Sequence, residues 1–505
     1  MQEAKQLQGH LIVMGLQQHD FFLRKLITTF AISNPFSLNY ARLIFDHIQT
    51  PSTYIYNTMI RAYATSPNPI QGVHLYNHMK KQGAPPDNYT FPSLLKACST
   101  LRAPRKGEET HCCVIKHGFD TDLFIQNSLI HLYGSNAEID AARRIFDGML
   151  VKDVATWTTL IICYSYSASI ELARQVFDEM PERNVVSFSA MITGYVQRGR
   201  FKEALHLFRD LQIARIEPND SALMSVLRAC SNLGALDCGR WIHSYIHKTK
   251  GRELDGRITT ALIDMYCKCG SLENALFVFA SAKEKYVGAW TAMISGLAMH
   301  GFGERSIDLF EEMIALGIKP NVVTFVALLS ACTHSGLVKD GLRYFEHMQA
   351  EYGIKPTIEH FGCVVDLLGR AGLITKAVEF IRKMPMEANA AIWGALLSAC
   401  RVHKNVEFGE LAARWLVRDE PLNGAVYMAL LSLYSEAGRW DDVERMKREM
   451  KEVGCRKSPG CSMIEVDGDC HEFVVGDKSH PHALEVCLHL GGLIEEVKQN
   501  KLIFA

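Results

Sequence analysis

VVSFSAMITGYVQRGRFKEALHLFRDLQIARIEPN, Val185 to Asn219, is the stretch that decides the fold. Met191, Ile192 and Tyr195 make one apolar stripe at helical spacing. Gly199-Arg200 interrupts it, and Ala204, Phe208 and Leu211 then recur at i, i+4 and i+7 on a second stripe. Pro218 stops that second helix. The pattern predicts a helix hairpin with one apolar face. A single hairpin cannot cover that face, so it has to stack on neighbours.

The neighbours are visible on both sides. NTMI at 57, NSLI at 127, TTLI at 158, SAMI at 189, TALI at 260 and TAMI at 291 open similar segments. Unit boundaries fall at 53–87, 88–122, 123–153, 154–184, 185–219, 220–255, 256–286, 287–321, 322–357 and 358–389, giving lengths of 35, 35, 31, 31, 35, 36, 31, 35, 36 and 32. A three-unit cycle returns after 102 residues, from 185 to 287, 220 to 322 and 256 to 358. Tetratricopeptide arrays hold close to about 34 residues throughout, so the alternation of long and short hairpins separates this array from them. The expected fold class is all-α, a right-handed superhelical solenoid of helix-turn-helix repeats.

Composition is that of an ordinary soluble chain: 505 residues, 48% hydrophobic and 22% charged, with 54 basic against 55 acidic side chains. A formal net charge of -1 argues against bulk electrostatic binding of polyanions. No apolar run approaches the roughly 18 residues of a membrane helix, so no membrane insertion is expected. The first twenty residues carry one Lys and no Arg, and read neither as a secretory signal nor as an Arg-rich transit peptide. Four of the 15 cysteines sit in one recurring phrase, KACS, RACS, SACT and SACR (Cys98, Cys230, Cys332, Cys400), and are expected to be small buried hydrophobes. Reduced thiols suit an intracellular compartment.

Phrases such as NVVSFSAMITGYVQRGRFKEALHLF, ALIDMYCKCGSLENA and TFVALLSACTHSGLVKDGLRYFEHM resemble the P, S and L units of plant pentatricopeptide repeat proteins of the PLS subclass. Residues 1–20 resemble a partial L unit and 21–389 a P/L/S array, irregular at its opening FFLRKLI and near Asn34-Pro35. Residues 390–457 look like the family's two degenerate E repeats, and 458–505 like its E+ segment, with SPGCSMIEV and HEFVVGDKSHP as the matching phrases.

The resemblance implies a reader of single-stranded RNA, one base per repeat. Unstacked bases expose edges for hydrogen bonding and flat faces for stacking. Reading an edge takes a short polar side chain at a fixed place in each first helix, a second polar group beside the next repeat, and an apolar residue to stack on the base. The fifth residues of the better-formed units are Asn57, Asn127, Thr158, Ser189, Thr260 and Thr291. The last residues are Asp87, Asp153, Asn184, Asn219, Tyr286 and Asn321. A surface turn alone would also favour Asn and Asp at the last place. Asn, Ser and Thr inside a helix are harder to explain by local propensity. Pro92, Met224 and Val326 hold the fifth place of the L units and Gly362 that of the last unit, and none offers an edge contact.

In the family Asn with Asp favours U, and Thr or Ser with Asn favours A. Carried over unit by unit from residue 53, with the 5′ end of the strand towards the N-terminal repeats and Thr260 with Tyr286 leaning to a purine, the expected core is 5′-U-N-U-A-A-N-R-A-3′. The E and E+ extension implies a site-recognition factor for organellar C-to-U editing. Such a factor works with a deaminase-bearing DYW-type protein and other editing factors in trans. The deaminase chemistry needs an HxE glutamate and a CxxC pair around zinc. None of the twenty histidines is followed by Glu two places on, and no CxxC occurs. Neither a catalytic residue, nor a metal ligand, nor a cofactor is therefore expected in this sequence. His471, His480 and His482 are expected as exposed loop residues. The alternatives are an organellar factor for RNA stability, splicing or translation, and a tetratricopeptide-like protein scaffold. The family implies the mitochondrion ahead of the plastid.

Overall fold

The computed structural model describes residues 19–32, 37–167, 169–250, 255–455, 460–466, 469–475 and 481–503, with positions 6, 9, 13, 14, 477 and 479 besides. Asn34-Pro35, His480 and nearly all of the partial L unit at 1–20 lie outside the described residues. The chain divides into two compact units, Met1–Val226 and Leu227–Ala505.

In the first unit, first (A) helices alternate with second (B) helices: Thr53–Ala64 with Ile70–Lys81, Thr90–Thr100 with Pro104–Lys116, Leu123–Ser135 with Ile139–Gly148, Val154–Tyr166 with Ile170–Glu179, and Val185–Gln197 with Phe201–Ile213. Each A helix packs on its own B helix and on the next A helix. In the 185–219 hairpin the predicted stripe is buried throughout: Met191, Ile192, Ala204 and Leu211 are fully covered, and Tyr195 and Phe208 nearly so. Covering large side chains of this kind contributes about 1.5–3 kcal/mol each, and that contribution holds the stack together.

The alternation of unit length is an alternation of B helices. In the 31-residue units these have 10 residues (Ile139–Gly148, Ile170–Glu179, Leu272–Ser281). In the 35-residue units they have 12 or 13 (Ile70–Lys81, Pro104–Lys116, Phe201–Ile213, Gly303–Ala315). The exits differ too. Short B helices leave directly in extended backbone at Met149, Met180 and Ala282 (ψ 128, 126 and 122°). Long ones turn through a left-handed residue, Gly83, Gly118, Arg215 or Gly317 (φ 71, 74, 55 and 75°).

The second unit carries the same hairpins through Gly256–Lys268 with Leu272–Ser281, Val287–Met299 with Gly303–Ala315, Val322–His334 with Val338–Ala350, and Ile358–Arg370 with Ile374–Arg382. Ala390–Val402 with Val406–Asp419 and Gly424–Glu436 with Trp440–Glu452 continue the pattern. A-helix packing is close enough to need glycine: a Cβ on Gly296 would lie 2.1 Å from Cys267 Sγ. The recurring Cys98, Cys230, Cys332 and Cys400 are fully buried, and burial pushes the Cys332 and Cys400 thiols up to about 12, the condition of inert core cysteines.

Among the described residues one pair of elements, a two-stranded hairpin, is not helical. Cys461–Val466 and Asp469–Val474 form an antiparallel hairpin in which Ile464 faces His471. His471 is therefore a half-buried strand residue rather than part of an exposed loop, because the alternation of a strand turns every second side chain inward. His482 is exposed as expected. Glu465 of the hairpin caps helix Leu236–Lys250, its two carboxylate oxygens accepting from the backbone N–H of Asp237 (2.9 Å) and Cys238 (3.2 Å). Among the described residues no helix is long and apolar enough to cross a membrane.

Candidate nucleic-acid interface

The last residue of a unit is placed by the start of the next A helix. Such a start leaves backbone N–H groups without partners inside the helix, and a short side-chain oxygen in front of it supplies one. Asp153 accepts from Thr156 N–H at 2.7 Å, Asn184 from Val186 and Ser187 N–H at 2.9 and 3.1 Å, Asn219 from Ala222 N–H at 2.9 Å, and Asn321 from Thr324 N–H at 3.0 Å. Asp87 does the same for Tyr89 and Thr90, both at 3.0 Å. In every one of these the acceptor is Oδ1.

Capping fixes the amide orientation at Asn184, Asn219 and Asn321, since only the oxygen can accept from a backbone N–H. The second terminal atom, Nδ2 in an asparagine or Oδ2 in an aspartate, is left to face elsewhere. An asparagine thereby presents a donor and an aspartate an acceptor.

The fifth residue lies one turn inside the preceding unit's A helix. Four pairs are brought together. Asn57 Nδ2 donates to Asp87 Oδ1 at 2.8 Å, and Ser189 Oγ donates to Asn219 Oδ1 at 2.7 Å. Asn127 and Asp153 line one groove, and the Asn127 amide helps hold the Asp153 carboxyl down. Thr291 reaches Asn321 through the Thr324 hydroxyl, at 2.8 and 3.1 Å. In the other two pairs the fifth residue's hydroxyl is engaged by its own helix. Thr158 and Thr260 each donate to the backbone four residues earlier, to Val154 O at 2.7 Å and Gly256 O at 2.8 Å. With the hydroxyl hydrogen so committed, both present lone pairs outward.

Burial works to raise the Asp153 carboxyl, but the bonds from Thr156, Asn127 and the Ala155 N–H outweigh it and hold the carboxyl below its usual value. Asp153 is therefore an ionised acceptor at neutral pH. Asn127 Oδ1 is buried without a hydrogen-bond partner among the described residues. It lines a groove of about 580 Å³ in the first unit together with Asp153, Pro92, Phe124 and His131. A second groove, of about 260 Å³, is lined by Ser189, Asn219, Val186 and Tyr166.

Two further positions in the repeat belong to this arrangement. At the third place of the following unit, Thr90, Thr156, Ser187 and Thr324 are fully buried, and their hydroxyls lock the last residue. Thr90 Oγ1 bonds both Asn57 Oδ1 (2.7 Å) and Asp87 Oδ1 (3.0 Å). The signal was present in sequence as Asn or Asp followed three residues on by Ser or Thr, a variant of the capping box. At the second place stand exposed apolar side chains: Tyr54, Tyr89, Phe124, Val186 and Val323, between 47 and 78% exposed. Five of the ten second places thus leave a large apolar group in solvent, a feature the sequence pattern did not single out, while Ala155, Ser221, Arg257, Gly288 and Glu359 stand at the others. The L-unit residues Pro92, Met224 and Val326 are half-buried at the fifth place. A Cβ on Gly362 would meet only Ile392 Cγ1, at 3.7 Å, so that place is empty of chemistry.

Comparison with known proteins places this array. The PPR repeat and PPR repeat family models match residues 51–100, 127–154, 155–185, 183–232, 258–287, 285–334, 323–352 and 359–387, and the E motif model matches 403–465. The chain is 47% identical over 482 residues to pentatricopeptide repeat-containing protein At5g66520 of Arabidopsis thaliana, covering 95% of this chain and 77% of that protein. It is 42% identical to the mitochondrial pentatricopeptide repeat-containing protein At2g22410 of the same plant, over 95% of this chain and 70% of that one. In fold it is similar to the crystal structure of the pentatricopeptide repeat protein PPR10 from maize, with a TM-score of 0.53 at 16% identity, over 86% of this chain and 74% of that one. Repeat wording, hairpin geometry and relatives agree, and the chain belongs to the pentatricopeptide repeat family, with an E-type C-terminal extension.

Proposed function

We propose that the protein is a sequence-specific single-stranded RNA-binding factor of the PLS subclass. In this reading it marks sites for organellar C-to-U editing and recruits a DYW-type deaminase in trans. The observation that carries the reading is that Asp87, Asp153, Asn184, Asn219 and Asn321 are each held at Oδ1 by a helix cap beside the preceding unit's fifth residue, which leaves the second terminal atom to a base.

The chemistry follows pair by pair. Adenine offers N1 as acceptor and N6–H as donor. Asn184 Nδ2 donates to N1, and the Thr158 lone pair accepts from N6–H; Ser189 with Asn219 and Thr291 with Asn321 act alike. Uracil offers N3–H between two carbonyls. The free carboxylate oxygen of Asp87 or Asp153 accepts from N3–H, and the amide of Asn57 or Asn127 donates to a carbonyl. Exposed second-position side chains supply flat or apolar surfaces for the base faces. With a net charge of -1, affinity comes mainly from these contacts rather than from the phosphates.

The organisation we propose is a partial L unit at 1–20, the array at 21–389, two E repeats at 390–457 and the E+-like segment at 458–505. These 505 residues contain no HxE and no CxxC, and in this reading a partner supplies the zinc-dependent step in trans. Relatives named mitochondrial and relatives named chloroplastic support an organellar compartment, and we propose the mitochondrion ahead of the plastid. Sequencing organellar transcripts from a line lacking the protein tests the reading. Loss of C-to-U conversion downstream of a UNUAANRA-like element is expected, with purified protein holding no stoichiometric zinc and leaving cytidine unchanged. Intact editing with altered transcript ends or unspliced introns would instead favour a stability or splicing factor.

A further inference from the structure

The unit 256–286 departs from every other well-formed unit at its last residue. Tyr286 precedes helix Val287–Met299 in extended backbone but makes no side-chain cap. Its ring is 56% exposed, and its hydroxyl donates to Glu284 Oε2 at 2.5 Å. One side of the ring rests on Gly256, the first residue of the same unit's A helix. A Cβ there would lie 2.4 Å from Cδ2, 2.9 Å from Cε2 and 3.3 Å from Cγ. Only glycine lets the ring settle in this place.

The adjoining second-position places carry no large apolar group, as is also the case at Ala155, Ser221 and Glu359. Where Tyr54, Tyr89, Phe124, Val186 and Val323 put apolar groups into solvent, this stretch has Arg257 and Gly288. A Cβ on Gly288 would lie 2.9 Å from Thr260 Oγ1. The apolar plate is missing from both second positions around this unit, and a larger one stands beside them at the last position.

We propose that Tyr286 is a base-stacking platform. It binds the face of the nucleotide assigned to unit 256–286, not its edge, and so prefers purines, leaving any separation of adenine from guanine to the Thr260 lone pair. The phenol cannot supply the edge contact that Asn makes, because its hydroxyl hydrogen is committed to Glu284. Face stacking is sequence-tolerant and grows with the area of the ring. Gly256 and Gly288 act as positioning residues that leave room for the tyrosine and for Thr260.

The proposal rests on the RNA-reading function above. The test uses the full chain and fluorescence anisotropy with RNAs carrying the UNUAANRA core, varied only at the seventh nucleotide: A, G, C, U or an abasic site. The expected order is the two purines, then the pyrimidines, then the abasic site, with roughly 5- to 150-fold between purine and abasic RNA. Tyr286→Phe should keep that ratio. Tyr286→Ala and Gly256→Ala should flatten it, the second by displacing the ring, while melting temperature confirms folding. Tyr286→Asn should separate A from G. Abasic RNA bound as tightly as purine RNA, or an unchanged ratio in Tyr286→Ala, overturns the platform. If discrimination at the fourth, fifth and eighth nucleotides persists in that case, only the platform has failed; if it is also absent, the RNA-reading function has failed with it.

Discussion

Asn219→Asp is the sharpest perturbation of the base-reading geometry because it changes one atom and leaves the fold alone. Asn219 Oδ1 accepts from Ala222 N–H (2.9 Å) and from Ser189 Oγ (2.7 Å), and an aspartate keeps that oxygen. A carboxylate in front of a helix N-terminus is at least as good a cap, so stability should be unchanged or slightly raised. The atom that changes is Nδ2, which becomes Oδ2. A donor facing adenine N1 becomes an acceptor facing a lone pair, whereas guanine N1–H would now find a partner. A good edge contact is worth about 1–3 kcal/mol, and about 1.4 kcal/mol is tenfold. A native preference for A over G of roughly tenfold at the fifth nucleotide should therefore reverse to a similar preference for G. The total swing is about two powers of ten, or roughly 2.8 kcal/mol. The added charge weakens binding to all RNAs alike through the phosphates and cancels from the ratio.

The assay is competition binding on two RNAs differing only at that base, with the native protein and the variant. Asn219→Ala is the control: it removes both cap and reader, costs about 1 kcal/mol of stability, and should lose discrimination instead of inverting it. Equal affinity for A and G with both native protein and Asn219→Asp would refute the reasoning, since a capped Asn219 would then present nothing to the base.

Other outcomes follow from the same structure. Deleting 390–505 should abolish editing while RNA affinity stays largely intact; lost binding would make the extension part of the RNA site or of the fold, and surviving editing would remove its recruiting role. Gly296→Ala should destabilise by about 1–3 kcal/mol, because its Cβ would lie 2.1 Å from Cys267 Sγ, and Cys267→Ala should restore part of the loss in a double-mutant cycle followed by thermal melting. Acid should destabilise the array near pH 6. Burial pulls the His360 pKa below its usual value, against the bond to Val322 O, and burial also lowers His111, His131 and His243. A depressed folded-state pKa gives stability that is present above the unfolded value near 6.5 and is lost as pH falls through the folded one. Melting temperature should drop between pH 7.5 and 5, less steeply in His360→Gln, and an unchanged slope in that variant would exclude His360 as a contributor.

The stack was legible in the sequence because its cause is local and repeats. The stripe Met191, Ile192 and Tyr195 could be read without knowing any neighbour, and the 31- and 35-residue spacing recorded the missing turn of the B helix. The Cys461–Val474 hairpin and its Glu465 cap on Asp237 and Cys238 were not legible, since that contact joins residues 228 and 227 positions apart. The role of the third-position hydroxyls was hidden for a different reason: Thr90 and Thr156 look like ordinary residues of a first helical turn until the last residue's cap is drawn. That cap accounts for Asn and Asp at the last position as helix-start residues, and it is compatible with the base reading proposed above. A turn residue and a base reader were rival readings only while the side chain was taken as one group. In the structure Oδ1 belongs to the helix and the other terminal atom does not, so under the proposed function the helix start that selects Asn or Asp would also orient the reader. The array is expected to lose readout at any unit whose last residue keeps its polarity but loses its cap, and Tyr286, which has no cap, is the unit where edge reading has already been given up.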